Sequence, residues 1–329
     1  MEYTDIKGVK EKQARIGLGT WAIGGWMWGG TDEKESIKTI HTALDKGINM
    51  IDTAPAYGFG KSEEITGKAI KEYGGREKIV LATKTALEWD DNENVKRNAT
   101  KERIFKEIED SLRRLQTDYI DIYQVHWPDP LVDVEETAEA MTALIDDGKI
   151  LAAGVSNFSP KQMEKFKSVC PLSTNQPPYN LFEREIEDDV LPWCRDNDIK
   201  LITYGALCRG MLSGKMSTDR EFKGDDLRQA DPKFQQPRFD QYLKATELLK
   251  QFAKEKYGKD LIHLAVRWLL DHGADISLWG ARKPSQLDNL EGVWGWNLSD
   301  KDMEEIDGII TRNVKDPVGP EFMAPPSRK

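Results

Sequence analysis

Cysteine is scarce in this chain of 329 residues, which contains only Cys170, Cys194 and Cys208. Their number is odd and no two form a Cys-x-x-Cys pair, so the sequence indicates neither a disulfide framework nor a zinc site. The first residues lack the positive segment and apolar stretch of a signal peptide. No apolar run approaches the roughly 18 residues of a membrane span. We therefore expect a cytoplasmic protein in a reducing compartment.

A positive net charge is also missing, because the formal charge is −10 at pH 7. Nonspecific binding of nucleic acid needs a basic surface, so this balance argues against a nucleic-acid partner. It does not exclude a local basic pocket for a phosphate group. The length allows either two domains or one large α/β barrel.

What the chain does contain is a regular alternation of apolar strands and helical patterns. The predicted strands are residues 15–20, 48–52, 78–84, 119–126, 150–155, 173–176, 200–204 and 276–279. The predicted helices are residues 33–46, 62–72, 104–115, 134–147, a helix that begins at 159, 183–197, 240–257, 260–272, 283–291 and 299–311. Residues 2–13 are expected to form a hairpin at the lower end of a barrel.

Eight strands that alternate with helices call for a parallel sheet, and eight such units fit a closed barrel. The alternative, a doubly wound sheet, usually carries Gly-x-Gly-x-x-Gly after its first strand. Gly17 and Gly19 begin that pattern, but Ala22 stands at the third glycine. We predict an α/β protein with one (β/α)8 TIM barrel domain over residues 1–329, an N-terminal β-hairpin and an extra C-terminal helix. A long connection covers about 205–237 and a tail covers about 312–329.

Ionisable side chains stand at the ends of three consecutive predicted strands. Asp52 ends the second strand, with Tyr57 in the loop after it, Lys84 ends the third strand, and His126 ends the fourth. Taken singly, the Asp could form a turn, the Tyr could be a packing residue, and the His could be structural. Taken together, they converge at the carboxyl mouth of a barrel, where this fold places its chemistry.

This set of residues suits the protonation of a carbonyl oxygen. An ammonium near a phenol favours the tyrosinate and makes the phenol a stronger acid. Asp52 would hold the Lys84 ammonium and offset its burial, while His126 would orient the substrate oxygen. The expected reaction is carbonyl reduction by a hydride from elsewhere. Nucleophilic hydrolysis fits less well, because no Ser or Cys stands with a His base in a recognisable local motif.

The residues that carry this chemistry resemble the tetrad of the aldo-keto reductase superfamily. The matching segments, from about Thr4 to the tail, include Asp52, Tyr57-Gly58, Lys84, Val125-His126-Trp127-Pro128 and Gly154-Val155-Ser156-Asn157-Phe158. Leu207-Cys208-Arg209-Gly210 and the segment 316–320 are similar to the bacterial general-stress NADPH-dependent reductase branch. The resemblance implies a TIM barrel that uses NADPH without metal or flavin. It also implies Tyr57 as proton donor, Lys84 and Asp52 as its tuning groups, and His126 as the carbonyl-orienting residue.

The resemblance further implies a cofactor site for NADPH/NADP. The matching positions are Thr20, Trp21, Asp52, Ser156, Asn157, Gln176, Tyr204, Gly205, Leu207, Arg209, Gly210, Lys215, Arg228, Gly280, Ala281, Arg282, Gln286 and Asn289. Ser156, Asn157 and Gln176 would bind the carboxamide, and Tyr204 would stack under the ring. Residues 205–228 would wrap the pyrophosphate as a clamp, and residues 280–289 would surround the adenosine 2′-phosphate.

One position departs from the pattern, because Gln286 stands where many relatives carry an arginine. Arg282 and Lys283 could compensate for it, so NADPH is favoured over NADH; without the resemblance, the two would be read as a solvated charge pair. Aromatic residues could wall the substrate mouth: Trp21, Trp28, Trp89, Trp127 and Tyr179. The three tryptophans of the loop after the first strand, Trp21, Trp26 and Trp28, could equally be a packed lid with no ligand role.

The predicted function is NADPH-dependent reduction of aldehydes to alcohols, with small ketones and sugar aldehydes as further candidates. One alternative is a catalytically slow NADPH-binding redox sensor or regulatory subunit, a role that barrels of this superfamily also serve. A second is a metal-dependent hydrolase, which the sequence disfavours. Of its four histidines, His41, His263 and His272 fall in predicted helices. We expect a monomer whose partner is a small-molecule carbonyl substrate, with no metal, nucleic acid or membrane.

Overall fold

A computed structural model describes residues 1–328 and contains a closed parallel barrel of eight strands. The strands are β1 (Tyr3–Thr4), β2 (Gln13–Ala14), β3 (Ile16–Gly19), β4 (Met50–Asp52), β5 (Val80–Thr85), β6 (Leu87–Trp89), β7 (Val95–Arg97), β8 (Ile120–Val125), β9 (Ile150–Ser156), β10 (Leu172–Gln176), β11 (Lys200–Thr203) and β12 (Ile276–Gly280). The barrel runs in the order β3-β4-β5-β8-β9-β10-β11-β12 and closes where β12 pairs with β3. The predicted TIM barrel is confirmed.

Helices cover the outside of the barrel. They are α1 (Trp21–Gly24), α2 (Glu33–Asp45), α3 (Lys61–Tyr73), α4 (Lys101–Leu115), α5 (Val134–Asp146), α6 (Pro160–Lys167), α7 (Val190–Asp196), α8 (Arg238–Tyr257), α9 (Leu261–Asp271) and α10 (Asp300–Asn313). The predicted capping box at α6 is present, with Ser159 and Gln162 bonding each other's backbone N–H. Among residues 1–328, no helix combines the length and apolar character needed to cross a bilayer.

The barrel strands are buried because one face packs on helices and the other fills the barrel interior. Every residue of β5 and β8 is buried, as the continuous apolar runs of a parallel sheet require. The interior is a separate apolar cluster that includes Ile6, Met50 and Ile122. Ile6 lies between β1 and β2, which pair as an antiparallel hairpin. The predicted N-terminal hairpin is therefore confirmed, and Ile6 contributes to the interior from it.

The strand register brings the predicted catalytic residues to one edge. Gly19 pairs with Asp52 across β3 and β4, and Lys84 pairs with Gln124 across β5 and β8. Because all eight strands are parallel, their carboxyl ends open at one mouth. The side chains at those ends are consequently neighbours in space.

Two predicted helices are interrupted. Residues 283–291 form 3-10 turns at Pro284–Leu287 and Leu290–Val293 instead of one α-helix. The predicted helix at 183–197 becomes a 3-10 turn at Glu185–Glu187 followed by α7. The cause is local, because the backbone groups of Asn180 and Glu183 bond each other in both directions at 3.1 Å. That pairing holds Glu183 outside a helix.

Three connections acquire structure that the sequence did not reveal. The segment after β5 forms the β6–β7 hairpin, with Leu87 paired to Arg97. The tryptophan-rich loop opens with the single turn of α1. The tail returns to the barrel mouth and forms a bridge between Arg97 and Ser327. The last residue of the predicted tail, Lys329, lies outside the described residues.

Candidate active site

The centre of the site is the ammonium group of Lys84. Its Nζ donates to Asp52 Oδ2 at 2.6 Å, to the Thr53 carbonyl at 3.0 Å and to Tyr57 Oη at 3.2 Å. An ammonium has three donors, so these three acceptors satisfy it completely. The Lys84 and Asp52 side chains are only 1% and 2% exposed. The predicted convergence of Asp52, Tyr57 and Lys84 is therefore present in the structure.

Backbone geometry fixes the position of Tyr57. Gly58 follows it with a φ of 65°, and a Cβ built there would lie 2.1 Å from the Gly24 carbonyl oxygen. Only glycine allows this close approach of two loops. The Tyr57 ring stacks on Trp21 at 5.9 Å and meets the His126 ring edge-on at 5.7 Å. His126 thus reaches the same centre from the end of β8.

Burial controls the pKa of each of these groups. Burial, with the Asp52 carboxylate nearby, raises the pKa of Tyr57 well above 10. This direction is opposite to the sequence expectation of a more acidic phenol, because burial and the Asp52 carboxylate both disfavour the tyrosinate. Burial lowers the pKa of Lys84, although Asp52 opposes the change. Burial and the Lys84 charge lower the pKa of His126 well below 6.5. At neutral pH the phenol is protonated and the imidazole is uncharged.

Two glutamine amides complete the shell around Asp52. Its Oδ1 accepts from Gln176 Nε2 at 2.8 Å and from Gln124 Nε2 at 3.3 Å. The predicted carboxamide-binding residue Gln176 therefore supports Asp52 in this structure. Sequence reasoning missed Gln124. The signal available was its place two residues before His126, on the same face of a strand.

The other predicted carboxamide residues form a chain of hydrogen bonds beside this centre. Ser156 Oγ donates to the Gln176 carbonyl at 2.6 Å, and Asn157 Nδ2 donates to the His126 carbonyl at 3.0 Å. Tyr204 Oη donates to Asn157 Oδ1 at 3.0 Å. Of these, only Tyr204 lines the open cleft. Binding of a carboxamide by the remaining residues stays a prediction.

A cleft of about 740 Å³ leads away from Tyr57 across the barrel mouth. Most of the predicted site residues line it: Thr20, Trp21, Trp28, Asp52, Tyr57, Tyr204, Gly205, Leu207, Arg209, Gly210, Lys215, Arg228, Gly280, Ala281, Arg282, Gln286 and Asn289. The volume is within the range of ligand and cofactor sites. The cleft is also rich in cationic side chains, so its size and its charge both suit a phosphorylated dinucleotide.

Arg209 is tied into the protein rather than free in the cleft. Its guanidinium contacts the carboxylates of Glu183 and, at 2.6 Å, Asp231. Lys233 Nζ lies 2.8 Å from Glu183 and 3.7 Å from Asp231. Two positive and two negative groups therefore balance in a buried cluster, which we call the buried quartet. The side-chain charge of Arg209 is neutralised there. Residues 208–210 all have positive φ, and of these Arg209 and Gly210 line the cleft.

The long connection at 205–237 crosses the cleft and is fastened on the far side. Leu227 N donates to the Met27 carbonyl at 3.0 Å, and Met27 N donates to Asp225 Oδ2 at 2.7 Å. The Arg228 guanidinium lies 5.7 Å from the Trp28 ring centroid. This geometry agrees with a clamp over the cleft.

The five predicted aromatic wall residues separate into three groups. Trp21 and Trp28 line the cleft. Trp89 packs on Phe59, and Trp127 lies under the Arg97 guanidinium. The prediction for Tyr179 is wrong, because this residue is fully buried among the helices. There its ring packs on Trp268, and its hydroxyl donates to Glu187 at 2.7 Å.

Sequence reasoning also missed contributions from the tail and from the α8–α9 corner. Met323 of the tail lines the cleft. Arg328 pairs with Asp129 at 2.9 Å, and Arg97 Nε donates to the Pro325 carbonyl at 2.7 Å. Lys254 and Lys259, at the end of α8 and just beyond it, also line the cleft. No local motif marks such residues, because distant segments bring them to the site.

The chain is similar to known proteins over almost its whole length. Residues 15–311 match the model of the Aldo/keto reductase family. The chain is 63% identical over 330 residues to aldo-keto reductase YhdN of Bacillus subtilis (strain 168), covering 100% of this chain and 99% of that protein. It is 35% identical over 306 residues to the NADH-specific methylglyoxal reductase of Escherichia coli (strain K12), covering 88% and 92% respectively.

A solved structure extends the similarity to three dimensions. The glycerol dehydrogenase AKR11B4 from Gluconobacter oxydans superposes with a TM-score of 0.88 at 51% identity, covering 98% of this chain and 99% of that one. The likeness thus includes the whole barrel and its mouth. The chain therefore belongs to the aldo/keto reductase family of oxidoreductases, which reduce carbonyl groups with NAD(P)H.

Proposed function

We propose that this chain reduces aldehydes to alcohols with NADPH and that Tyr57 donates the proton. The observation that carries the proposal is the hydrogen bond of Lys84 Nζ to both Asp52 Oδ2 and Tyr57 Oη, at 2.6 Å and 3.2 Å. A phenol held against a buried ammonium can release its proton as negative charge grows on a substrate oxygen.

When NADPH is bound in the cleft, it would supply the hydride. Tyr57 begins the reaction protonated, since its pKa lies well above 10. As its proton leaves, the developing tyrosinate is stabilised by the ammonium of Lys84, and Asp52 keeps that ammonium in place. The raised pKa of the resting phenol therefore does not oppose the role of Lys84, which acts when charge appears.

His126 fits the role of an uncharged hydrogen-bond donor. Its pKa lies well below 6.5 because it is buried near Lys84. A neutral imidazole is a poor proton source at pH 7, so proton donation falls to Tyr57. The edge-on contact of the two rings at 5.7 Å puts His126 beside the phenol, where it can orient a carbonyl oxygen.

The substrate is proposed to be a small aldehyde. Trp21 and Trp28 meet edge-on at 5.7 Å in the cleft, and such a wall accepts apolar and hydroxylated carbon chains. The names of two relatives, a methylglyoxal reductase and a glycerol dehydrogenase, direct the first tests toward 2-oxoaldehydes and hydroxyaldehydes. Because the second relative is named as a dehydrogenase, the oxidation of alcohols should be measured as the reverse reaction.

Steady-state turnover tests this function. Purified protein is mixed with NADPH, then separately with NADH, and with a panel of methylglyoxal, glyceraldehyde, an aromatic aldehyde and a small ketone. We expect loss of nicotinamide absorbance with the aldehydes, and faster turnover with NADPH. Tight NADPH binding without turnover on any carbonyl would instead support the redox-sensor alternative. The cytoplasmic location, the monomeric state and the role in the stress response stay predictions.

A further inference from the structure

A buried carboxylate lies behind Lys84, on the helix side of the barrel wall. Glu63, in the first turn of α3, has no exposed surface. Its Oε1 accepts from the Thr83 hydroxyl at 2.6 Å, and Thr83 directly precedes Lys84 in β5. Because successive side chains of a strand point to opposite faces, Glu63 reaches the outer face of the strand whose inner face carries Lys84.

Both carboxylate oxygens of Glu63 are used as acceptors. Arg114 Nε in α4 donates to Oε2 at 2.6 Å, and the Thr83 hydroxyl donates to Oε1. Burial raises the pKa of this carboxyl, and the charge of Arg114 opposes the rise. Since an oxygen that carried the proton would donate rather than accept, this arrangement holds Glu63 as the anion.

Arg114 also holds a second carboxylate, that of Glu107. Its Nη2 donates to Glu107 Oε1 at 2.6 Å, and Arg103 contacts the same carboxylate from the preceding turn of α4. These four side chains form a buried group with two positive and two negative charges, which we call the α3–α4 ion cluster. Within residues 1–328, Glu63 is the member of the cluster that hydrogen-bonds to β5. Glu107 is equally buried, so it is a matched comparison for Glu63.

The first turn of α3 is also bonded to the surroundings of the catalytic groups. Ser62 N donates to the Tyr57 carbonyl at 3.1 Å. The buried Ser62 Oγ accepts from Thr53 Oγ1 at 3.0 Å, and the Thr53 carbonyl in turn accepts from Lys84 Nζ at 3.0 Å. A shift of this turn would therefore displace both the loop of the phenol and an acceptor of the ammonium.

The groups that face Lys84 come from four elements. They are Asp52 of β4, Tyr57 in the following loop, His126 at the end of β8 and Glu63 of α3. At neutral pH the phenol is protonated and the imidazole is uncharged. Asp52, in direct contact, and Glu63, across the strand, are thus the anions that favour the ammonium form of Lys84.

We propose that Glu63 is a positioning residue for the reduction, acting on Lys84 and Tyr57 from behind the barrel wall. Its bond to Thr83 fixes the first turn of α3, and with it the loop of Tyr57, against β5. Its negative charge helps to keep Lys84 as the ammonium that stabilises the tyrosinate. The inference rests on the proposed function, because it gives Glu63 a part in proton donation by Tyr57.

Single-turnover rates measured against pH separate this role from a purely structural one. Protein preloaded with NADPH is mixed with an aldehyde at values from about pH 7 to about pH 10.5, the upper end being the ordinary pKa of lysine. Glu63→Gln removes the charge next to β5, and the control Glu107→Gln removes a charge from the same ion cluster. Thr83→Val removes the hydrogen bond to Glu63 and leaves the charge in place.

We expect the two glutamine variants to lose similar stability in urea denaturation. In Glu63→Gln alone, the alkaline decline of the rate should move to lower pH by about 0.5–1 unit, because Lys84 loses its proton more easily without this anion. Thr83→Val should keep the wild-type position of the decline, while its rate at neutral pH falls by about 2- to 10-fold, the range for one lost hydrogen bond.

Equal alkaline shifts in Glu63→Gln and Glu107→Gln, or a shift in neither, would overturn the inference and leave Tyr57 as the proton donor. If Glu63→Gln does not fold, the double substitution Glu63→Gln with Arg114→Gln replaces it, because Glu107 then keeps Arg103 as its partner and no unpaired charge remains. Its decline should also move to lower pH, and an unmoved profile would overturn the inference. A wild type that reduces no aldehyde would overturn the proposed function as well.

Discussion

The lysine side chains at the two ends of the cleft differ in burial and in pairing. At the catalytic end, Lys84 and Asp52 are almost completely buried, and every donor of the ammonium has an acceptor within 3.2 Å. At the end of the cleft predicted to hold the adenosine, Lys254 is exposed, Lys259 is partly exposed, and among residues 1–328 neither has a carboxylate oxygen within 4.0 Å of its ammonium.

This difference follows from the cost of burying charge. A buried ion without a partner costs several kcal/mol, so the reaction centre has to be neutralised by the protein itself. An exposed lysine keeps its water and can remain unpaired until an anion binds. The catalytic end is thus preorganised, whereas the binding end keeps its charges available.

Removing Lys84 should give the largest effect. In Lys84→Met, Tyr57 loses the ammonium that stabilises its tyrosinate, and we expect reduction to slow by about 10²–10⁴-fold. Because Asp52 is left buried without its cation, the free energy of unfolding should fall by about 3–5 kcal/mol. Steady-state kinetics and urea denaturation measure the two losses.

The double variant Lys84→Met with Asp52→Asn separates activity from stability. It should recover most of the lost free energy of unfolding, since no uncompensated charge remains, but none of the lost activity. A double variant that is no more stable than Lys84→Met would show that the buried pair is not the source of the loss.

The same substitution should change the free energy of unfolding by very different amounts at a buried, paired lysine and at an exposed one. Lys233→Met removes a cation from the buried quartet and exposes Glu183 and Asp231 to each other, so we expect a loss of about 3–5 kcal/mol in the free energy of unfolding. Lys254→Met, on the surface, should change it by at most about 0.5 kcal/mol. Urea denaturation compares them, and equal losses would contradict the contrast between buried and exposed charge.

The pH dependence of reduction should reflect burial at the catalytic end. With cofactor and substrate saturating, the rate should stay constant as the pH falls from about 8 to about 6, although an ordinary histidine would gain a proton near 6.5. The reason is that the pKa of His126 is well below 6.5. On the alkaline side, the lowered pKa of Lys84 predicts a decline before pH 10.5. A rate that halves near pH 6.5 would show that His126 titrates normally.

Salt should produce the smallest change of all, and it should alter the binding of the cofactor rather than the rate of the reaction. Raising the ionic strength from about 0.1 to 1 M shortens the Debye length from about 10 to 3 Å. The Kd for NADPH should therefore rise more than the Kd for NADH, which has no 2′-phosphate, while the rate with saturating cofactor changes little. Equal salt dependence of the two Kd values would argue against exposed cationic side chains at the 2′-phosphate.

Sequence reasoning succeeded where position along a strand determines position in space. Asp52, Lys84 and His126 end consecutive barrel strands, so parallel pairing alone brings them together. It failed where partners are distant in sequence. Nothing near Arg209 indicates Glu183 or Asp231, and Tyr179 follows a strand end yet packs outward on Trp268. The phenol was expected to be more acidic because the sequence shows the ammonium but not the degree of burial.

The central claim is that Tyr57 is the proton donor, and a single-turnover experiment tests it most directly. A clamp over the cleft could make cofactor release limit steady-state turnover, so protein preloaded with NADPH is mixed rapidly with an aldehyde. We predict that Tyr57→Phe oxidises its bound NADPH about 10²–10⁴-fold more slowly than wild type, with an unchanged Kd for NADPH. The exposed control Tyr73→Phe should match wild type. Oxidation at the wild-type rate in Tyr57→Phe would contradict the account.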